Sequence, residues 1–430
     1  MRKIIKKAFI VSDKYDINKK LDIYISNGTI VKIGENIEPN EETEIVDADG
    51  FFVMPGFIDM YCKMCEAGYE NKHNIVMISQ SAAVGGFTTI TSLPNSQPVI
   101  DNKTVVEYVY SKTREKSNIN MLPYGSMTKE CLGKEVTEIG EMIDAGIVAI
   151  SDGGVPVDDN RLLRNILLYS KMFDVPVITF CLDRQLTGRG VINSGYMSTK
   201  MGLEGILREA EDVAVSRNII LAKNTGARLH ISHVTTRGAV ELVRYGKENG
   251  VNVTAGTCPH YFTLSEMAVE GYNTFAKVLP PLRTDDDIKA VKEGIKDGTI
   301  DVITSGHTPV SIDKKKTEFD NASFGISGLE SAFPVCFSEM VDSGTINIKD
   351  MVKLMSSNPA KILGLKNKGY IEEGFDADFI VADLNEKYNI DASSFKSKAK
   401  YSPFDGKCVK GRVVKTFVKG NCIYEYGVKC

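Results

Sequence analysis

Tyr61 and Lys63 stand two residues apart just beyond an apolar run, Phe57 to Met60, so an extended strand through them turns a phenol and an ammonium to one side. An ammonium has three donors and no lone pair for a metal. The other groups suited to metal chemistry are the five histidines and the cysteines. A zinc site needs four N, S or O donors, or three and a water that the ion activates. His233 has no companions at ligand spacing and reads as a hydrogen-bonded core histidine. His230 and His260 read as packing residues, and His73 as the start of a helix. Cys62 and Cys65 have a Cys-x-x-Cys spacing, but Cys62 turns away from Tyr61 and Lys63 on an alternating strand. Cys65 with Cys258 makes half of a tetrahedral thiolate set, and no second pair completes it. The glycines fall mostly between periodic segments and carry no phosphate-loop signature.

The elements that must position these residues alternate. Apolar, β-branched runs at 57–60, 88–93, 119–124, 147–151, 175–181, 228–234, 251–257 and 302–305 make eight strand candidates. Helix-length stretches follow them at 74–84, 103–116, 136–145, 161–172, 202–218, 238–248, 285–296 and 329–341. Eight βα units predict a (β/α)8 barrel over residues 53–367. Residues 1–52 and 368–430 are strand-rich, with an Asn27-Gly28 hairpin signal and a Lys419-Gly420-Asn421 turn, and are expected to pair into one small composite β-sandwich. The basic run Lys314-Lys315-Lys316 reads as a solvated loop.

With 430 residues, 43% of them hydrophobic, the chain can bury one large core and a smaller one. A net charge of -4 gives no electrostatic reason for nucleic acid or anionic membrane as partner. No run of 18 apolar residues is present, and the opening Met-Arg-Lys-Ile-Ile-Lys-Lys lacks a signal-peptide core, which predicts a cytosolic protein. Nine scattered cysteines read as reduced thiols.

Nine motifs run in order along the chain: Pro55-Gly56-Phe57-Ile58-Asp59-Met60, Leu93-Pro94-Asn95-Ser96-Gln97-Pro98-Val99, Ser151-Asp152-Gly153-Gly154, His230-Ile231-Ser232-His233-Val234-Thr235-Thr236, Cys258-Pro259-His260, Lys277-Val278-Leu279-Pro280-Pro281-Leu282-Arg283, Gly325-Ile326-Ser327-Gly328-Leu329-Glu330, Asn358-Pro359-Ala360-Lys361-Ile362-Leu363-Gly364 and Gly374-Phe375-Asp376-Ala377-Asp378-Phe379. Together they resemble the class I, bacterial-type dihydroorotases of the amidohydrolase superfamily over nearly the whole length. Dihydropyrimidinases and allantoinases share the superfamily plan.

The resemblance implies a zinc-assisted opening or closing of the dihydroorotate ring, with an aspartate after strand eight as general acid and base. It also marks where this chain departs from the pattern. The paired first-strand histidines are Tyr61 and Lys63, the fifth-strand histidine is Phe180, and the sixth-strand ligand is kept as His233. The acids after strand four are reduced to Asp152-Gly153, and which of the two would bind metal stays open. The eighth-strand aspartate is Gly306, with His307 kept and Val310 in place of a second histidine. Among substrate contacts, the expected arginine is Cys65, the expected asparagine is Leu279, and Asn95 survives.

The resulting expectation is a dihydroorotase-like protein of pyrimidine biosynthesis that binds no cofactor and is catalytically inactive. It would serve a structural or regulatory role with aspartate transcarbamoylase and form homo-oligomers. The alternative is an active cyclic amidohydrolase with a rebuilt, zinc-holding site. Loss of the metal also leads us to expect Lys63 to replace it electrostatically, pairing with Asp152 directly or through water, while Tyr61 and Phe180 fill the vacated volume.

Overall fold

The structure is a computed structural model and describes residues 2–40, 42–64, 68 and 74–428. The barrel is assembled in two arcs of parallel strands. One holds Phe57–Cys62, Phe87–Ser92 and Asn120–Pro123, and the other Val177–Phe180, Leu229–Ser232, Val253–Thr257 and Val302–Ile303. The expected fourth strand, 147–151, shrinks to single bridges from Ile150 to Gly125 and Val177. Its neighbours explain this: Pro123 and Pro176 flank it and have no N–H to extend a ladder. Ile150 still joins the arcs, donating to Pro176 O at 3.1 Å and accepting from Ile178 N at 2.8 Å. The ring closes between strands eight and one, where Lys63 N donates to His307 O at 2.9 Å. The architecture is therefore the α/β barrel that the alternation implies.

Helices wrap the barrel and begin where side chains cap them. Ile75–Val84 starts under Asn74, Lys103–Lys116 under Asn102, and Arg237–Glu248 under Thr236, each side chain accepting a first-turn N–H. Asp285–Lys296 occupies the expected span. The fifth helix does not: expected at 202–218, it runs Glu209–Thr225. Gly202, at φ 66°, ends the short helix Tyr196–Met201, and Gly205–Ile206 pairs as a strand with Ile192–Asn193. The long helix then opens with Glu209, Glu211 and Asp212, acids that suit its positive end. The eighth, expected over 329–341, is α-helical over Leu329–Cys336, with Pro334 inside it, and continues as a π-turn over Phe337–Asp342.

The terminal segments share one hydrogen-bonded sheet of eight strands, built from Arg2–Ile10 through Phe52–Pro55 and from Phe379–Asn389 through Asn421–Glu425. Its two halves face a common core of Ile5, Ile23, Ile25, Phe379, Val381 and Phe417. The Asn27-Gly28 turn has φ 48° and 83°, values that favour asparagine and glycine.

The run Lys314-Lys315-Lys316 departs from the solvated loop expected of it. Lys314 and Lys316 are exposed, but Lys315 is 0% exposed. Its Nζ donates to Thr274 O and Lys277 O, each at 2.9 Å, and lies 5.5 Å from the Tyr401 ring centre. Among the described residues no helix is long and apolar enough to cross a membrane, and seven cysteines are free thiols.

Candidate functional site

At the C-terminal mouth of the barrel, the end of strand one departs from simple alternation. Its register against strand two shifts between Asp59 and Cys62. Ile58, Met60 and Tyr61 therefore all belong to the inner cluster, whereas Cys62 joins the outer one that packs on the helices. Asp59 holds this shape. Its carboxylate is fully buried and accepts from Tyr61 N at 3.2 Å, from Ser305 N at 3.1 Å and from the Ser305 hydroxyl. Burial pushes its pKa up to about 6, against the pull of those hydrogen bonds.

His233 lies where strand six ends, with φ 58°. The Tyr61 ring stands edge-on to it at 4.0 Å between centres, and the Phe180 ring at 6.2 Å. Tyr261 closes the other side at 6.0 Å. Both ring nitrogens of His233 are buried without a hydrogen-bond partner among the described residues. Burial lowers its pKa to about 3, so the imidazole is neutral. Leaving such groups unpaired costs about 1–3 kcal/mol.

Gly306 follows strand eight at φ 65°. A Cβ there would lie 2.7 Å from His260 Cε1 and 2.8 Å from Cys258 Sγ, so the space in front of this backbone is already filled. Cys258 is fully buried against Thr304 Oγ1 at 3.2 Å, and burial pushes its thiol up. The His260 ring lies tilted against Tyr261 at 4.1 Å between centres, and His230 Nδ1 lies 2.9 Å from Thr254 Oγ1. His307 Nδ1 accepts from Gly328 N at 3.2 Å.

Asp152 corrects the expectation of a direct pair. Its carboxylate makes no direct ion pair with Lys63 but turns to another loop, accepting from Met127 N at 2.7 Å, Thr128 N at 3.0 Å and Thr128 Oγ1 at 2.6 Å. Three donors already satisfy the charge that Lys63 was expected to neutralise. Burial nevertheless pushes the Asp152 pKa up to about 6. Asn95 packs over Gly153, whose Cβ would fall 1.6 Å from Asn95 Oδ1, and donates to Asp152 O at 3.1 Å. Only glycine, at φ 63°, admits that approach.

Tyr61, Lys63, Asn95, Phe180, Leu279 and Val310 come together around one cavity of about 260 Å³. His233 and Gly306 lie behind its wall, Asp152 faces away, and Cys65 and His73 lie outside the described residues. Among the described residues no three His, Cys, Asp or Glu side chains converge where a cation would sit. Sequence reasoning missed Asp59 and Phe324 as parts of the mouth, and weighed Cys258 only as half of a thiolate pair with Cys65. The signal for Asp59 was an acid in an otherwise apolar strand. Phe324 carried no local signal, because the loop after strand eight brings it across.

The chain matches the family described as Dihydro-orotase-like over residues 50–239 and the Amidohydrolase family over residues 338–424. It is 45% identical over 429 residues to a protein named Dihydroorotase from Caldanaerobacter subterraneus subsp. tengcongensis, covering 100% of this chain and 99% of that one. A Dihydroorotase from Thermoanaerobacter sp. (strain X514) is 47% identical over 425 residues, covering 99% and 98%. Among solved structures, the L-hydantoinase (dihydropyrimidinase) from Arthrobacter aurescens superimposes with a TM-score of 0.90 at 26% identity, covering 99% of this chain and 96% of that one. The dihydropyrimidinase from Brevibacillus agri NCHU1002 gives 0.86 at 22% identity, covering 99% and 95%, and shares the fold.

Proposed function

Because this chain belongs to the dihydroorotase family of amidohydrolases, we propose that it is a member of pyrimidine biosynthesis that has kept the barrel and given up metal-assisted hydrolysis. The observation that carries this reading is the packing at Gly306. Where the resemblance puts a carboxylate to move the proton, Cys258 and His260 occupy the volume. The donor set does not fit zinc either: Phe180 has no lone pair, Lys63 is cationic, and burial raises the Tyr61 hydroxyl's pKa, away from the phenolate that would bind a cation. His233 is then a lone imidazole whose nitrogens find no partner among the described residues.

On this reading the protein acts through its surface, in a structural or regulatory assembly with aspartate transcarbamoylase and with copies of itself. A second reading, an active cyclic amidohydrolase with a rebuilt site, is favoured by the full-length likeness to proteins named Dihydroorotase. The two separate in one assay. Supplied with excess zinc and dihydroorotate, the purified protein should open the ring no faster than a heat-killed control, whereas turnover well above that control would establish the second reading.

A further inference from the structure

The fifth barrel helix, Glu209–Thr225, carries apolar side chains on its outer face as well as its inner one. Ala210, Ala214, Val215, Ile219 and Ala222 are buried toward the barrel, as an outer helix requires. On the outside, Val213 and Ile220 are 48% and 56% exposed. They do not stand alone: both border one shallow groove with Leu221 and with Leu242 of the next helix, Arg237–Glu248. Tyr245 of that helix and Met172 of the preceding one, Asn160–Met172, are 61% and 75% exposed on the two flanks. The three helices pack side by side, so these side chains share one outer face, the kind of apolar patch that marks a contact.

Charge on this face is arranged as its own complement. Glu209 and Lys223 are exposed, neither makes an ion pair among the described residues, and each lies seven positions from Ser216. At 3.6 residues per turn, residues 209, 213, 216, 220 and 223 fall along one side of the helix. The other charged side chains beside this stripe are tied within the chain: Asp212 accepts from Thr236 Oγ1 at 2.5 Å, and Arg217 Nε donates to Asn218 Oδ1 at 3.0 Å. A second copy turned end for end about Ser216 brings its Lys223 to Glu209 and its Ile220 to Val213, and the two-fold repeats both contacts. Ser216 is small, so the two helices can approach there. A partner of single sign would instead attract one end of the stripe and repel the other. We propose that this face is a homodimer interface, with the helix Glu209–Thr225 packed antiparallel on its own copy and the two-fold axis passing Ser216. The inference deepens the surface role proposed above and rests on it, by naming where copies of the chain meet.

Sedimentation velocity of the full chain across a dilution series tests this. The parent protein should sediment at twice the 47.3 kDa chain mass and dissociate on dilution. Ile220→Lys, at an exposed position, should weaken the dimer by at least roughly tenfold while keeping the parent's circular dichroism. Glu209→Lys and Lys223→Glu should each weaken it by about fivefold, because each sets like charges together at two symmetric places. The double swap should return it to within about threefold of the parent. A monomer at every concentration, a dimer indifferent to Ile220→Lys, or a double swap no better than its singles would each overturn the proposal. Aspartate transcarbamoylase is added in a separate run. A mixed assembly formed by a chain that never self-associates refutes this inference alone, whereas a dimer as described with no mixed assembly upholds it and refutes the transcarbamoylase partnership.

Discussion

At the scale of single residues, the proposed loss of hydrolysis turns on Gly306, where the family resemblance puts an aspartate. Gly306→Asp restores the family's acid in name only. Its Cβ would meet Cys258 and His260 at 2.8 Å and 2.7 Å, and its backbone would keep φ 65°. We expect urea denaturation to show a loss of about 2 kcal/mol or more, the combined cost of a left-handed non-glycine residue and an overpacked core. Tyr61→His with Lys63→His should likewise fail to restore hydrolysis, because catalytic groups that act as a unit return little in part. Recovery of activity by that double change would contradict the account. Residue identities at the mouth were legible in the sequence, because their types forbid or permit lone pairs. Their partners were not: Asp152 bonds to Met127 and Thr128 across a loop, 25 and 24 residues away, contacts that no spacing rule reports.

At the scale of elements, periodicity recovered most of the barrel and failed where backbone chemistry intervened. The helix Lys103–Lys116 is amphipathic, capped and easy to read. The fifth helix was displaced because the segment before it spends Gly202 on a cap and Gly205–Ile206 on a strand. Strand four was overestimated because its prolines sit on its neighbours. The loop after strand eight hides an ammonium in a cage of carbonyls, and that has a pH consequence. Burial, and then the charge of nearby Lys277, lower the Lys315 pKa to about 7 from 10.5, and Lys277 itself falls to about 8. Asp320 is the acid that acts on Lys277, in the opposite direction. Between pH 7 and 10.5 the unfolded chain thus holds a proton at residue 315 that the folded one has released. This group's contribution to stability is complete above pH 10.5 and is lost as pH falls toward 7. Lys315→Met should flatten the rise in unfolding free energy between pH 7 and 8.5 relative to the parent protein. Parallel curves for the two would show that Lys315 keeps an ordinary pKa.

At the scale of the whole molecule, fold and site carry different information. The helices, the barrel and the two-ended sheet persist in a chain whose mouth is lined with rings and branched side chains. On the proposed non-catalytic reading the protein needs a use for its surface, so co-expression with the aspartate transcarbamoylase of the same organism should yield a mixed assembly by mass measurement. A strictly monomeric chain with no affinity for that enzyme would count against the scaffold role. The central claim concerns the metal and the reaction together, and one measurement meets it directly: zinc stoichiometry by elemental analysis, with dihydroorotate hydrolysis assayed on the same purified sample. The account predicts zinc far below one per chain and no turnover above a heat-killed control, whereas one bound zinc lost on His233→Ala, accompanied by ring opening, would contradict it.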